Sequence, residues 1–245
     1  MVRSKTCSIC EKACVVVLAL LFLCCCSVSV SGKPPTRDSQ DQISSAQKLA
    51  TEERWQELLQ LVEAIPQPSP EMEYYHGLAL AHLERWDDAR RAFLVGRRAL
   101  PRDKRFPTEL AGVAFRQKNY SRAAAYLRAA LRLDPADAYV NDFLGTVYFI
   151  EGNLEAALKY WNRAGKPGIE EVRTGARLHI NPVLLDHAFA FSPASILQRE
   201  ELLASEARLD ALEIFPVYRL DLLARSDEKF DLQFQPQEKN GFGNT

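Results

Sequence analysis

NDFLGTVYFIEGNLEAALKYWNRAGKP, residues 141–167, decides how this chain folds. It reads as an apolar helix, a short turn (IEGN), and a second helix with small residues along its inner face. Shifting the chain against itself by 34 residues brings two earlier segments onto it without a gap. Ala89, Ala123 and Ala157 then coincide, as do Trp86, Tyr120 and Leu154, and Gly96, Ala130 and Ala164; Pro101 and Pro135 match at the ends of their units. The turns of the three units are LERW, RQKNY and IEGN. Small residues at fixed places let paired helices approach closely. A single pair cannot bury its apolar stripe alone, and stacking the pairs does.

The pattern resembles the tetratricopeptide repeat (TPR), a helical hairpin of about 34 residues. The third unit holds its motif places with Leu144-Gly145, Tyr148, Ala157, Trp161 and Ala164. The second has Leu110-Ala111, Ala123, Leu127, Ala130 and Pro135, and the first has His76-Gly77, Ala89, Phe93, Gly96 and Pro101. Three units are expected over residues 70–168. Residues 43–69, with Trp55 and Leu58 mirroring Trp86 and Ala89, look like a degenerate leading repeat that PQPSP cuts short. His76 departs from the family's apolar choice and is expected to be partly buried and bonded to a backbone carbonyl.

In this family partners usually bind along the first helices of the pairs. Carried over, the resemblance implies a groove lined by Tyr74, Tyr75, Leu78, Arg105, Glu109, Phe115, Arg116, Tyr139, Asp142, Phe143 and Phe149. Chaperone-binding members grip a peptide carboxylate with Lys, Asn and Arg. Here Tyr74, Leu78 and Glu109 stand where that clamp would start, so chaperone-tail capture is not expected. An aromatic groove with two arginines suits an extended or helical apolar protein segment. The other reading, that some aromatics face the next helix or the C-terminal domain, stays open at this point.

After Pro167-Gly168 the period is lost. Val183 to Phe191 is a plausible strand. Ser195 and Gln198 offer a capping-box start for a helix carrying Leu202, Leu209, Leu212 and Phe215. PVYRLDLLA then alternates with Tyr218, Leu220 and Leu222 on one face, and KFDLQFQ with Phe230, Leu232 and Phe234 inward. Strand, helix and hairpin make a small α+β domain over residues 183–240. The helix ending in A-L-x-x-F, followed at once by an aromatic hairpin, resembles a POTRA module, the β-α-α-β-β unit of outer-membrane assembly and secretion proteins. That resemblance implies a periplasmic setting and an outer-membrane β-barrel partner, with residues 241–245 a tail leading toward it.

At the other end, Arg3, Lys5 and Lys12 precede an uncharged apolar run, residues 13–30, and small residues then offer a cut near Ser31 or Gly32. This is the layout of a secretory signal peptide over residues 1–32, the rival being an uncleaved anchor that would touch the membrane. All six cysteines lie before residue 27, so an exported mature chain would carry none. Residues 33–42, polar with two prolines, read as a disordered spacer.

Hydrophobic content of 47% and charged content of 26% fit a globular protein. A formal net charge of −1 offers no footprint for nucleic acid, which is not expected as a partner. No H-x-x-x-H, H-E-x-x-H, G-x-S-x-G or phosphate loop occurs, so neither a metal nor a cofactor is expected, and no enzyme. Asp87-Asp88 are read as solvated or helix-capping residues in a repeat turn. The expectation is a mainly α chain: a TPR helical-hairpin solenoid followed by a small α+β, POTRA-like domain, acting as an exported interaction scaffold. The alternative is a TPR adaptor whose C-terminal piece only caps the solenoid.

Overall fold

The computed structural model describes residues 37–174, 181–225 and 229–237. The signal-peptide reading, the six cysteines, the start of the spacer and the C-terminal tail lie outside these residues. Contacts divide the chain into two units, Met1–Gln40 and Asp41–Thr245, and the second holds the repeats and the sheet. Among the described residues no helix is long and apolar enough to cross a membrane.

Ten helices are described. They are α1 (Arg37–Thr51), α2 (Trp55–Glu63), α3 (Pro70–His82), α4 (Trp86–Ala99), α5 (Arg105–Arg116), α6 (Tyr120–Leu133), α7 (Ala138–Ile150), α8 (Leu154–Trp161), α9 (Pro182–Ala188) and α10 (Arg199–Ala211). A 3-10 turn, Asn162–Ala164, extends α8. Helices α3 to α8 form the three hairpins that the 34-residue period demands. Their starts are capped where the sequence places short polar side chains. Ser69 Oγ accepts from the Met72 amide at 3.3 Å with Pro70 in the first turn. Asn119, Asp137 and Asn153 cap α6, α7 and α8 at 3.0–3.2 Å.

The turn inside each hairpin is one device repeated. Glu84, Lys118 and Gly152, spaced 34 apart, have φ of 60°, 57° and 77°. In each, the next amide reaches back five residues: Arg85 to the Leu80 carbonyl (2.8 Å), Asn119 to Ala114 (2.8 Å), Asn153 to Tyr148 (2.9 Å). This is a Schellman closure, which needs one left-handed residue. Glu53 (φ 56°), with Arg54 bonded to the Leu49 carbonyl, repeats it between α1 and α2, so the leading segment turns as a true hairpin. The helix before that turn starts at Arg37, inside the stretch expected to be a disordered spacer. Ile43, Ala46, Leu49 and Ala50 lie at helical spacing and pack into the core, which orders the segment.

Helices close within a hairpin, and from one hairpin to the next, where a small residue meets a ring. A Cβ built on Gly77 would fall inside the Phe93 ring, one on Gly96 inside Phe106, and one on Gly145 inside Trp161. Phe93 and Phe106 are fully buried. Such contact requires glycine on one side and a ring on the other, and it fixes the spacing of the stack.

The C-terminal part holds one mixed sheet of β1 (Gly168–Thr174), β2 (Ser195–Ile196), β3 (Val217–Ala224) and β4 (Phe230–Gln237), in the order β2-β1-β4-β3. β1 runs parallel to β4, and β3 pairs antiparallel with β4 as the expected hairpin, closed by the Arg225 amide on the Lys229 carbonyl at 2.9 Å. Three expectations are corrected here. The first strand is residues 168–174, so the sheet begins upstream of residue 183; a bulge between Ile169 and Glu171 spaces its inward residues Ile169 and Val172 by three, which hides the period of two. Residues 183–191 form no strand, because Asn181 caps and Pro182 opens α9, the Asn181 side chain accepting from the Val183 amide at 3.0 Å. Helix α10 starts with Gln198 as N-cap and Glu201 in the capping-box place, Glu201 Oε2 accepting from the Gln198 amide at 2.9 Å, rather than with Ser195 and Gln198.

Helices α9 and α10 cover one face of the sheet. Leu209, Phe215 and Phe234 meet there with Leu185 and Ala188. A second cluster joins sheet to solenoid: Ala157, Leu158 and Trp161 of α8 pack with Ile169, Leu197, Leu202 and Leu232. The sheet module therefore packs over Ala157, Leu158 and Trp161 of the last repeat.

Candidate peptide-binding groove

Helices α3, α5 and α7 present one face each, and polar contacts lock the first two together. Arg105 Nη1 and Nη2 donate to the Glu71 carboxylate at 2.8 and 2.7 Å, and its Nε to Asp103 at 3.0 Å. The guanidinium lies 4.6 Å from the centre of the Tyr74 ring. Tyr74 Oη donates to Glu109 Oε1 at 3.3 Å. Glu71, Arg105 and Tyr139 sit 34 residues apart, the same place in successive units. Glu71 was absent from the expected lining, although the spacing that placed Arg105 and Tyr139 there could have found it.

Burial pushes the Glu109 carboxyl above the usual range, the Tyr74 hydrogen bond only partly opposing it. Burial, with the Glu109 charge second, pushes the Tyr74 phenol up. Two carboxylates, by contrast, hold Arg105 charged. Among the described residues Glu109 has no cation within ion-pair distance, whereas Asp142 is held by Lys166 Nζ at 2.9 Å. Lys104 bridges Asp134 (2.7 Å) and Asp137 (2.5 Å), tying α5 to the start of α7.

The aromatic side of the groove runs from Phe115 to Phe143, edge to face at 5.2 Å, and on to Tyr139 at 6.1 Å. Tyr139 is 66% exposed, more than any other large apolar side chain described. Of the expected lining, Tyr74, Glu109, Phe115, Tyr139 and Phe143 come together on this face. Leu78 is half-buried against the core, and Arg116 is exposed at the end of α5. Two residues are corrected. Tyr75 is 8% exposed and belongs to the core between α2, α3 and α4, one helical step round from Tyr74. Phe149 packs on Trp161 at 5.2 Å and on Phe230 of β4 at 5.7 Å, so the sheet covers it.

His76 lies outside the groove. It faces a shallow cavity of about 320 Å³, and its Nδ1 is 3.5 Å from a Glu73 carboxylate oxygen, so its nearest partner is a carboxylate and not the expected backbone carbonyl. Asp88 is paired with Arg85 at 2.8 Å and with Arg91 in the first turn of α4. Among the described residues no group of three His, Cys, Asp or Glu side chains converges as a metal site would.

The tetratricopeptide repeat family model matches residues 74–138 and again 108–168. No curated protein matches the chain's sequence. Similar solved structures include MamA (RS-1 ArsTM double mutant), 22% identical, with a TM-score of 0.47 over 53% of this chain and 75% of that one. A second MamA crystal structure is 14% identical, with a TM-score of 0.48 over 55% and 80%. YrrB, a TPR protein with an unusual peptide-binding site, is 17% identical, with a TM-score of 0.46 over 51% and 66%. Residues 74–168 match the tetratricopeptide repeat family model and fold as paired helices of one repeating geometry.

Proposed function

We propose that this chain is a non-enzymatic, exported interaction scaffold whose groove holds an apolar protein segment, and whose sheet module works at the outer membrane. The observation that carries the groove reading is the exposed Tyr139 in line with the half-buried Phe143 and Phe115, beside Tyr74, Arg105 and Glu109. Aromatic and arginine side chains are the usual anchors of protein interfaces. A photo-crosslinking residue at position 139, in the native host, is expected to trap a discrete partner; one at Arg91, on another helix, is not. Tyr139→Ala should weaken the captured complex by about 1–2 kcal/mol. Absence of any adduct specific to position 139 sinks the groove reading.

The order β1, α9, β2, α10, β3, β4, with β1 parallel to β4, supports the POTRA-like assignment, since it is β-α-α-β-β with a two-residue edge strand added between the helices. With the first strand at residues 168–174, α9 and α10 supply two separate helices before the hairpin. In this reading the module docks through a sheet edge, by β-augmentation, or joins a barrel. The basic and apolar residues 1–32 support export. Fractionation of the host checks location: recovery from the cytoplasm, with residues 1–32 still attached, rules out the exported reading. The competing reading, an adaptor whose sheet caps the solenoid, is favoured by one observation, the cluster shared between α8 and the sheet.

A further inference from the structure

The second helices of the three pairs carry a charge that the chain's net balance of −1 hides. Helix α6, YSRAAAYLRAALRL, has three arginines and no acidic residue. Helix α4 ends in Arg97 and Arg98, and Lys159 and Arg163 follow on α8 and its 3-10 turn. The ion pairs on α4 and α8 use other cations: Arg90 and Arg91 with Asp87 and Asp88, and Arg199 with Glu155. Among the described residues Arg97, Arg98, Arg128, Arg132, Lys159 and Arg163 have no carboxylate within ion-pair distance, and all but Arg97 are exposed.

Tyrosines interleave with these cations and link the helices into one strip. The Arg97 guanidinium lies 5.8 Å from the Tyr126 ring centre. Arg128 Nη1 donates to Tyr148 Oη at 2.6 Å, and Tyr148 stacks on Tyr160 at 5.7 Å. Lys159 and Arg163 stand 5.7 and 5.6 Å from the Tyr160 centre. Tyr126 and Tyr160 are one repeat apart, so the repeat itself extends the strip. Helix dipoles favour a cation in each last turn. That local effect does not account for an acid-free helix or for the tyrosines between the arginines.

We propose that this face docks on an anionic membrane surface. Lysine and arginine at such a surface are each attracted by its potential, within a Debye length of about 10 Å. Tyrosine is the side chain that suits the boundary between water and lipid. The cations are spread over three helices, which fits a broad charged plane better than a single peptide. The apolar run at residues 13–30 ends seven residues before the described chain starts. If it remains in a bilayer, an extended chain of that length keeps the start of α1 within about 25 Å of the headgroups.

The test uses the full chain and flotation with two kinds of vesicle, phosphatidylcholine alone and phosphatidylcholine with phosphatidylglycerol. Residues 13–30 act on both kinds, so the readout is the excess partitioning onto the anionic vesicles. That excess is expected to fall roughly a hundredfold in a variant carrying Arg98→Gln, Arg132→Gln and Lys159→Gln, and to fade with added salt. These three side chains are exposed and make no hydrogen bond that the helices need, and circular dichroism checks that the variant folds. No excess on anionic vesicles overturns the proposal. So does an excess that the variant keeps, which would assign it to Arg3, Lys5 and Lys12. Binding of poly-glutamate that the variant loses, without any vesicle preference, would reassign the face to an acidic polypeptide.

Discussion

Glu84, Lys118 and Gly152 do the same work with different side chains. All three sit at left-handed φ inside the Schellman turn of their repeat, but only Gly152 does so without a Cβ penalty. For an L-residue that conformation costs about 1–2 kcal/mol. Lys118 is exposed, and its amide, which glycine keeps, supplies its bond to the Phe115 carbonyl at 2.8 Å. Lys118→Gly should therefore stabilise the chain by about 1 kcal/mol, and Glu84→Gly by a similar amount; Gly152→Ala should cost as much. Thermal melts of the three variants check the signs, and a Lys118→Gly that melts earlier than the parent would remove left-handed strain as the explanation. The sign is unusual for glycine substitutions, which normally loosen the unfolded state and destabilise. The 34-residue period made this position legible from Gly152 alone. Glu109 was legible only as a place in the groove. Its desolvated carboxyl, bonded to Tyr74 and without a cation among the described residues, depends on Arg105 choosing Glu71 and Asp103 instead, which no spacing reveals.

Among the elements, the helices were the most legible because their period, caps and turns all agree. Strand β1 was not, since its bulge breaks the alternation, and α9 was mistaken for a strand because VLLDHAFAF is apolar in both periods. The signal that separates the two readings, Asn181-Pro182, lies just before it. The spacer reading failed at Arg37 for another reason: the amphipathic residues that order α1 come after the polar start of that helix. One element contact has a pH dependence of definite sign. Trp55, opening α2, stacks on His82, closing α3, with ring centres 3.7 Å apart and planes 4° from parallel. Burial lowers the pKa of His82 below its ordinary 6.5, with Glu53 opposing and Arg116 assisting. The folded state thus prefers the neutral ring. Stability from this preference is present above the ordinary histidine value and is lost as pH falls through it and past the lowered folded value. Melts of the parent between about pH 8 and pH 5 should drop relative to His82→Phe, which keeps the stack but binds no proton. Parallel curves for the two proteins would mean that the ring does not titrate against the fold.

On the scale of the whole molecule, the question is whether the sheet is a separate module or the end of the solenoid. Both the element order and the packing bear on it, and they point to different consequences. The order β1, α9, β2, α10, β3, β4 is that of a self-contained unit with its own core of Leu209, Phe215 and Phe234. Yet Trp161, 3% exposed, touches Phe230 at 5.5 Å, and Asn162 Nδ2 donates to the Leu197 carbonyl at 2.7 Å while its Oδ1 accepts from the Arg199 amide at 2.9 Å. The solenoid's last apolar face is thus finished by the sheet, as a polar capping helix would finish it elsewhere. A chain ending after Pro167 should lose the packing on Trp161, Leu158 and Phe149. Uncovering an aromatic cluster of that size costs about 3 kcal/mol or more, by analogy with large-to-small core changes. For a chain of this length that corresponds to a fall in Tm of about 10 °C. The intact chain should then melt in one transition from Asp41 to the end of the sheet, since neighbouring clusters share the half-buried Tyr126, Tyr148 and Phe189. Calorimetry distinguishes the cases: two resolved transitions in the full chain, or a truncated chain melting at the parent temperature, would make the sheet an independent module that merely abuts the repeats. A single transition with the expected loss would mean that the groove and the sheet edge are held by one body, so that a partner seated on either is sensed by the stability of both.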